Sequence, residues 1–367
     1  MPTLHVDLGP RSYDIRIGSD LHTSLALWFG THHGPRKALV ITDRQVEPHA
    51  KLIQTELKNL GLTPHLMVLP SGEDQKCQAS LSKIYDELVN IQADRQTLVV
   101  AVGGGVIGDL AGFAAATFNR GLPLFMVPTT LLAMVDSSVG GKVGINHPKG
   151  KNLIGAFHQP MGVAIHLPFL ETLPDREFHS GLAEVVKYGM IMDEQFFTWL
   201  NSTGDNWRDA SVLEHMIETS CRHKATVVQE DEYETKGLRA ILNFGHTFAH
   251  AIEAVAGYGT LLHGEAVAIG MVAACRLAER LQFSGDLKTD EAFIPLLKRM
   301  KLPTELAPAW HVDALVAAMR HDKKNTHGQL RFVLPRWIGK VETGVVVEES
   351  VVREVLANRL SGPDHVQ

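Results

Sequence analysis

The stretch Asn243-Phe244-Gly245-His246-Thr247-Phe248-Ala249-His250-Ala251-Ile252-Glu253 carries the residue types and spacing that point most directly to chemistry. His246, His250 and Glu253 are four and three residues apart, so on an α-helix their side chains share one face. Two His at i and i+4 form half of a helical metal site. In a chain with 19 His the same spacing also suits a solvated or core pair. Two further segments favour the metal. Leu261-Leu262-His263-Gly264-Glu265 sets a third His beside a Gly at the start of another apolar helix. Ser180-Gly181-Leu182-Ala183-Glu184-Val185-Val186-Lys187 puts a carboxylate and a Lys one helical turn apart. Three His and a Glu on neighbouring helices would make an open metal site, with one His left over for proton transfer.

A second set of residues suits phosphate. Gly103-Gly104-Gly105-Val106-Ile107-Gly108-Asp109 follows a strand-like run at residues 97–102 and opens a helix. Gly there lets the backbone approach a pyrophosphate, and the helix N-terminus adds N–H groups and positive dipole. A tight strand-to-helix turn would read the same way. Two features depart from the ordinary dinucleotide fingerprint. The motif follows the third strand of its series, and no acidic residue ends a strand about 20 residues later. Pro128, Thr129 and Thr130 stand there instead. Asp43, which ends the first long strand, is then the natural ribose partner, and Glu73 and Lys76 could cap the adenosine side. Ordinary helix-start chemistry accounts for those three equally well.

A third cluster runs from Asp136-Ser137-Ser138-Val139-Gly140-Gly141-Lys142 to Lys149-Gly150-Lys151-Asn152. Backbone amides and Lys charges suit an anionic, oxygen-rich ligand, and Asp136 and Asn152 add groups that can bond a sugar. The alternative is a solvated loop. Arg239 and Asn243 lie four apart on the expected metal-site helix, and Lys224, Lys323 and Lys324 are cations that could converge with them.

The elements that must position these residues follow from pattern. Residues 4–7 and 13–17 read as a strand pair around Gly9-Pro10. Strands at 37–42, 65–69 and 97–102 alternate with helices marked by Val46, Ala50, Ile53, Leu57 and by Leu81, Ile84, Tyr85, Leu88. That is βαβαβ, a parallel sheet with helices on both faces. Further strands are expected at 124–127 and 163–166. From about Leu170 helical periodicity dominates to Met300, so the second domain reads as all-helical, with a small hairpin near 329–334 and 341–347 and a last helix from Val351.

The chain has 367 residues, a length that suggests two domains. A formal charge of -6 and a pI near 6.3 argue against a nucleic-acid or anionic-membrane surface. Cys77, Cys221 and Cys275 are too few and too dispersed for a disulfide framework or a Cys metal site. With no apolar run in residues 1–18 and no membrane-length segment, a cytoplasmic protein is expected.

Taken together the ordered blocks resemble the 3-dehydroquinate synthase family over residues 37–334. They are 103–113, 128–142, 151–157, 181–189, 243–253, 263–267 and Asp322-Lys323-Lys324. The resemblance implies an α/β N-terminal domain with a parallel, Rossmann-like sheet (1–170) that binds NAD. It also implies an all-α C-terminal domain (171–367) that binds a divalent metal, zinc or cobalt. Glu184, His246 and His263 would be the ligands, and His250 would handle protons. Asp136, Lys142, Asn152, Lys187, Lys224, Arg239, Asn243 and one of Lys323 or Lys324 would surround the substrate. Asp43, Glu73, Lys76, Gly104, Gly105, Val106, Asp109, Thr129, Thr130, Lys142, Lys151, Phe169 and Thr172 would face NAD. Ala249 stands where the family commonly has Gly.

The implied reaction takes 3-deoxy-D-arabino-heptulosonate 7-phosphate to 3-dehydroquinate and phosphate. It runs by oxidation of a ring carbinol, elimination, return of the hydride, ring opening and aldol closure. Another sugar-phosphate cyclase of the aminodehydroquinate or inosose synthase type shares these parts. A metal-dependent polyol dehydrogenase would share them too, but would release NADH. A nucleotide-binding regulatory module is the non-enzyme alternative.

Phe118-Asn119-Arg120-Gly121 resembles the segment whose Arg holds substrate phosphate in the family. A helix from Gly105 to about 118 sets Arg120 roughly 20 Å from the Gly-rich cradle. A homodimer in which Arg120 crosses into the partner's site is therefore expected; a plain helix C-terminal cation is the alternative.

Overall fold

The structure, a computed structural model, describes residues 2–29, 37–257, 259–320 and 329–360. The chain divides into two compact units, Met1–Pro174 with Ala210–Tyr233, and Asp175–Asp209 with Glu234–Gln367.

The first unit contains β1 (Thr3–Val6), β2 (Tyr13–Gly18), α1 (Leu21–Phe29), β3 (Lys37–Asp43), α2 (Glu47–Asn59), β4 (Thr63–Leu69), α3 (Gln78–Asn90), β5 (Leu98–Gly103), α4 (Gly105–Thr117), β6 (Leu124–Pro128), β7 (Lys142–His147), β8 (Gly150–Phe157) and β9 (Gly162–His166). Seven strands form one sheet in the order β1-β2-β9-β6-β5-β3-β4. Only the β1–β2 edge pair is antiparallel. β5 and β6 are buried throughout their lengths, the mark of strands covered by helices on both faces.

The order β4-β3-β5-β6-β9 is the flavodoxin-like arrangement of a doubly wound sheet. Its topological switch point lies between β3 and β5. These two strands pair in parallel, Ile41 opposite Ala101, so Asp43 and Gly103 end neighbouring strands. This explains why the Gly-rich turn follows the third strand of its series. In this winding, that strand borders the crevice.

Residues 142–157, read from sequence as part of a Gly- and Lys-rich loop, form the β7–β8 hairpin. Val143 and Ile145 on β7 are buried, and β7 packs against α4. Residues 133–137 before it form a π-helical turn.

The helix spanning Ala210–Glu230 completes this unit, although the expected boundary assigns all of 171–367 to a second domain. Periodicity defines its apolar face, with Leu213, Met216, Ile217 and Val228 buried, but not the partner of that face. The face packs on the π-helical turn and on β1 and β2.

In chain order the helices after β9 are α5 (Asp175–Met192), α6 (Glu194–Ser202), α7 (Ala210–Glu230), α8 (His246–Ala256), α9 (His263–Arg280), α10 (Ile294–Arg299), α11 (Val312–Arg320) and α12 (Glu349–Ala357). All but α7 belong to the second unit. This unit also carries the hairpin β10 (Leu330–Trp337) and β11 (Lys340–Val347), which the sequence places there, so among its described residues it is helical apart from this hairpin. α9 is buried almost without interruption from Gly264 to Ala278, and α5 and α8 both pack on it. Among the described residues no helix is long and apolar enough to cross a membrane.

Candidate functional site

Within the second unit, Glu184 from α5, His246 from the first turn of α8 and His263 from the first turn of α9 converge. One ligand atom from each lies within 4.8 Å of the other two. The Nε2 atoms of His246 and His263 stand 3.6 and 3.7 Å from the same Glu184 oxygen, Oε1. Glu184 is fully buried, and its Oε1 accepts no hydrogen bond among the described residues. Its ion-pair partner on α5 is Lys187, also buried. Lys187 meets Oε2, whereas Oε1 faces only the two imidazoles, and a buried carboxylate oxygen left in that way is costly unless a cation offsets it. One oxygen donor and two imidazole nitrogens are the donor set of an open divalent site.

The rings are oriented from behind. His246 Nδ1 lies 3.1 Å from the Phe244 carbonyl oxygen, which directs Nε2 toward Glu184. His263 Nδ1 lies 3.7 Å from Oε2 of buried Glu253, on α8. Carbonyl and carboxylate partners of this kind fix tautomer and raise ligand basicity. Glu253 thus belongs to the cluster through His263 rather than as a ligand. His250 is exposed, its ring centroid 5.7 Å from that of His246, and lies outside the ligand set.

Arg239 and Asn243 do not lie on the metal-site helix as expected. They occupy a separate 3₁₀ turn, Leu238–Asn243, which ends before Phe244 and Gly245. Gly245 has φ of 79°, and a Cβ there would meet the Met271 backbone nitrogen at 2.7 Å, so the chain must break before α8. Arg239 is buried within this turn.

In the first unit, Gly104 and Gly105 begin α4 beside Thr130 and Ser137. A Cβ on Gly104 would lie 3.0 Å from Thr130 Cγ2, and one on Gly105 would lie 3.3 Å from Ser137 Oγ. Val106 follows, half-buried in the same first turn. Thr129, the residue after β6, is buried, with no hydrogen-bond partner for its hydroxyl among the described residues. Asp43 Oδ1 accepts hydrogen bonds from Ser71 Oγ and the Gln45 amide, both at 2.8 Å, which fixes its carboxylate at the end of β3.

Four expected residues share one network. Buried Lys76 donates to Asp109 and to Asn152. The Asn152 amide donates to Asn146 at 2.9 Å, and Asn146 donates to Glu73 at 2.7 Å. Burial pushes the Asp109 carboxyl pKa up, and the Lys76 ammonium opposes that rise. Lys224, buried on α7, donates to Asp136 Oδ1 at 2.8 Å, so that expected pair meets as well. Lys142 is exposed at the head of β7, and Lys151 is half-buried on β8.

Phe169 is buried after β9 with the His49 ring stacked on it at 4.3 Å, and His49 Nε2 lies 2.7 Å from Thr172 Oγ1. His49 and His166 flank Phe169, and burial lowers both pKa values. Neither stands out in the sequence, where each is a lone His in an element of other purpose. Arg120 is exposed and has no hydrogen-bond or ion-pair partner among the described residues. Lys323 and Lys324 lie outside the described residues.

A family model described as 3-dehydroquinate synthase N-terminal matches residues 66–180, and one described as 3-dehydroquinate synthase C-terminal matches residues 181–325. The chain belongs to the 3-dehydroquinate synthase family. The 3-dehydroquinate synthase of Desulforamulus reducens is 47% identical, covering 97% of this chain and 100% of that protein. Among solved structures, 2-deoxy-scyllo-inosose synthase complexed with carbaglucose-6-phosphate, NAD+ and Co2+ matches with a TM-score of 0.87. It shares 26% identity and covers 98% of this chain and 100% of that one. The 2-epi-5-epi-valiolone synthase of Streptomyces hygroscopicus, with NAD+ and Zn2+ bound, matches with a TM-score of 0.85. It shares 27% identity and covers 94% of this chain and 96% of that one.

Proposed function

We propose that this protein is a cytoplasmic, NAD- and divalent-metal-dependent carbon–oxygen lyase. It converts 3-deoxy-D-arabino-heptulosonate 7-phosphate to 3-dehydroquinate and phosphate, a cyclisation in the shikimate route to aromatic amino acids. The observation that carries the reading is the Glu184–His246–His263 donor set in a chain 47% identical over 97% of its length to a 3-dehydroquinate synthase.

When bound, NAD supplies reversible hydride acceptance and the divalent ion, zinc or cobalt, supplies Lewis acidity. Glu184, His246 and His263 would hold the ion, and the unsatisfied Glu184 Oε1, which faces both His Nε2 atoms, fits that role. Gly104, Gly105 and Val106 would hold the pyrophosphate on the N-terminus of α4. Asp43 would bond the ribose, Glu73, Lys76 and Asp109 would support the adenosine side, and Thr129 and Thr130 would offer hydroxyls. Lys142, Lys151, Phe169 and Thr172 complete that set. The orphaned Thr129 hydroxyl supports a ligand at the strand ends.

His250 would move the proton at a substrate hydroxyl. Asp136, Lys142, Asn152, Lys187, Lys224, Arg239, Asn243 and one of Lys323 or Lys324 would bond substrate carboxylate, phosphate and hydroxyls. Lys187, Lys224 and Arg239 are buried cations, which an anionic substrate helps to offset. Orientation by such groups supplies much of a rate enhancement.

The same reading includes a homodimer in which Arg120 reaches the partner's site. Supporting it, Arg120 is exposed and Asn119 and Arg120 both have positive φ, 50° and 69°, a strained presentation of a surface cation. Nearby, His158 bonds the Leu122 carbonyl, and β8 before it exposes Leu153, Ile154 and Phe157.

A second reading is a cyclase acting on another sugar phosphate, favoured by the two structural matches at 26 and 27% identity. The higher identity to a 3-dehydroquinate synthase weighs against it. The deciding assay follows phosphate release from the heptulosonate phosphate with NADH monitored in parallel. One phosphate per turnover without net NADH is expected. Stoichiometric NADH would instead mark a dehydrogenase, and no phosphate release would direct attention to other sugar phosphates.

A further inference from the structure

The three ligands differ in how deeply they are buried. The Glu184 side chain is 1% exposed, that of His246 12% and that of His263 33%. His263 also opens its helix, where the first amides lack intrahelical partners. Yet the backbone on both sides of His263 is tied down. The Leu262 amide donates to Glu265 Oε2 at 2.8 Å, and the Gly264 amide donates to Ser180 Oγ at 3.0 Å. Glu265 is itself clamped by Arg176, with Nε on Oε1 and Nη2 on Oε2, both at 2.7 Å. Arg176 Nη2 also donates to the Thr260 carbonyl at 3.0 Å.

Arg176, Ser180 and Glu184 are spaced by four on α5, so they form one row along a single face. The row is in near contact with the α9 terminus: a Cβ on Gly264 would lie 1.8 Å from the Ser180 carbonyl oxygen. One stripe of α5 thus supplies a ligand and also holds the backbone that carries another.

We infer that Arg176 and Ser180 are positioning residues that preset the Glu184–His263 separation for the metal. Resting on the metal-site reading above, this adds residues that touch neither metal nor substrate. Outer-shell partners of metal ligands are typically worth about 10–100-fold in metal affinity.

The test measures Zn2+ affinity of the full chain by competition with a chromophoric chelator, and the visible spectrum of the Co2+-loaded protein. The variants are Arg176→Gln and Ser180→Ala, beside wild type and His263→Ala. Arg176 is 56% exposed in its side chain, so its replacement leaves the core intact and decides the matter even if Ser180→Ala does not fold. Each variant is expected to bind Zn2+ about 10–100-fold more weakly and to alter the Co2+ bands. Unchanged affinity and unchanged bands in Arg176→Gln would overturn the inference, leaving the clamp as a plain helix cap. If wild type binds no metal, or His263→Ala binds it as well as wild type, the metal assignment itself falls, a result distinct from the first.

Discussion

The ammonium of Lys187 is ion-paired with the carboxylate of Glu184 one turn earlier on α5, and both side chains are sealed from solvent. Removing one partner of a buried pair leaves an uncompensated charge, at a cost of about 3–5 kcal/mol. A divalent ion on Glu184 would supply the missing positive charge. Lys187→Met is therefore expected to lose about that much stability in chelator and to recover part of it when Zn2+ is added, read by denaturant unfolding. An equal deficit in both conditions would show that Lys187 does not substitute for a metal.

The ligand set makes a second prediction. Glu184→Ala and His263→Ala should lose tightly bound metal, and chelation should abolish turnover while far-UV circular dichroism persists. Glu253→Gln keeps the shape of the residue behind His263 but removes its charge, and should weaken metal binding about 10–100-fold. A full equivalent of tight metal in either ligand variant would remove that residue from the site.

These residues differ in how legible they were. His246 and His263 could be picked out because a four-residue repeat and a neighbouring Gly are local signals, and Glu184 because it sits one turn from Lys187 on an apolar helix. β3, β5, β6 and β9 were legible because strands buried on both faces read as apolar runs. The β7–β8 hairpin was not, because its Gly, Lys and Asn content resembles loop composition and its stability comes from packing on α4. α1 is absent from the expected elements although it has a local signal: Leu21, Leu25, Trp28 and Phe29 recur at helical spacing, and Asp20 accepts from the Thr23 amide at its start. The separate turn that carries Arg239 depends on the approach of Gly245 to α9, a tertiary fact without local signature. The Lys76–Asp109–Asn152 network likewise joins residues far apart in sequence, and only the folded sheet brings them together.

His250 should separate binding from chemistry. It is exposed one turn beyond His246 and outside the ligand set, so His250→Ala should retain metal and NAD. Loss of a general acid–base group costs about 10²–10⁴-fold in rate. Equilibrium dialysis for both ligands, beside turnover, checks the pair of outcomes. Loss of metal in this variant would make His250 a ligand.

The thiols offer a probe of the nucleotide side. Burial pushes Cys221 up to about 12, and Cys275 is raised by burial as well, so both should be inert in the folded protein. Burial also opposes ionisation of Cys77, but hydrogen bonds from the Ser80 and Ala79 backbone amides, together with the hydrogen bond between its Sγ and the Ser80 hydroxyl, outweigh it and lower that pKa. A thiol reagent should label one site in the native chain, at Cys77, and three after unfolding. Because Cys77 adjoins Lys76, saturating NAD should slow the native labelling. Labelling at an unchanged rate would place the adenosine away from the start of α3.

Arg120 supplies the sharpest test of assembly. It follows α4 at the end away from Gly105, about 20 Å along the helix from the proposed pyrophosphate cradle. If it serves the partner's site, Arg120→Ala and Lys142→Ala chains should each be nearly inactive alone. Co-refolded, the mixed dimer contains one site in which both residues are intact, so activity should return toward one competent site per mixed dimer. A cation that merely caps the end of α4 would contribute about 0.3–1 kcal/mol of stability and no such rescue. Mixed dimers that are shown to form, yet stay as inactive as their parents, would confine Arg120 to its own chain.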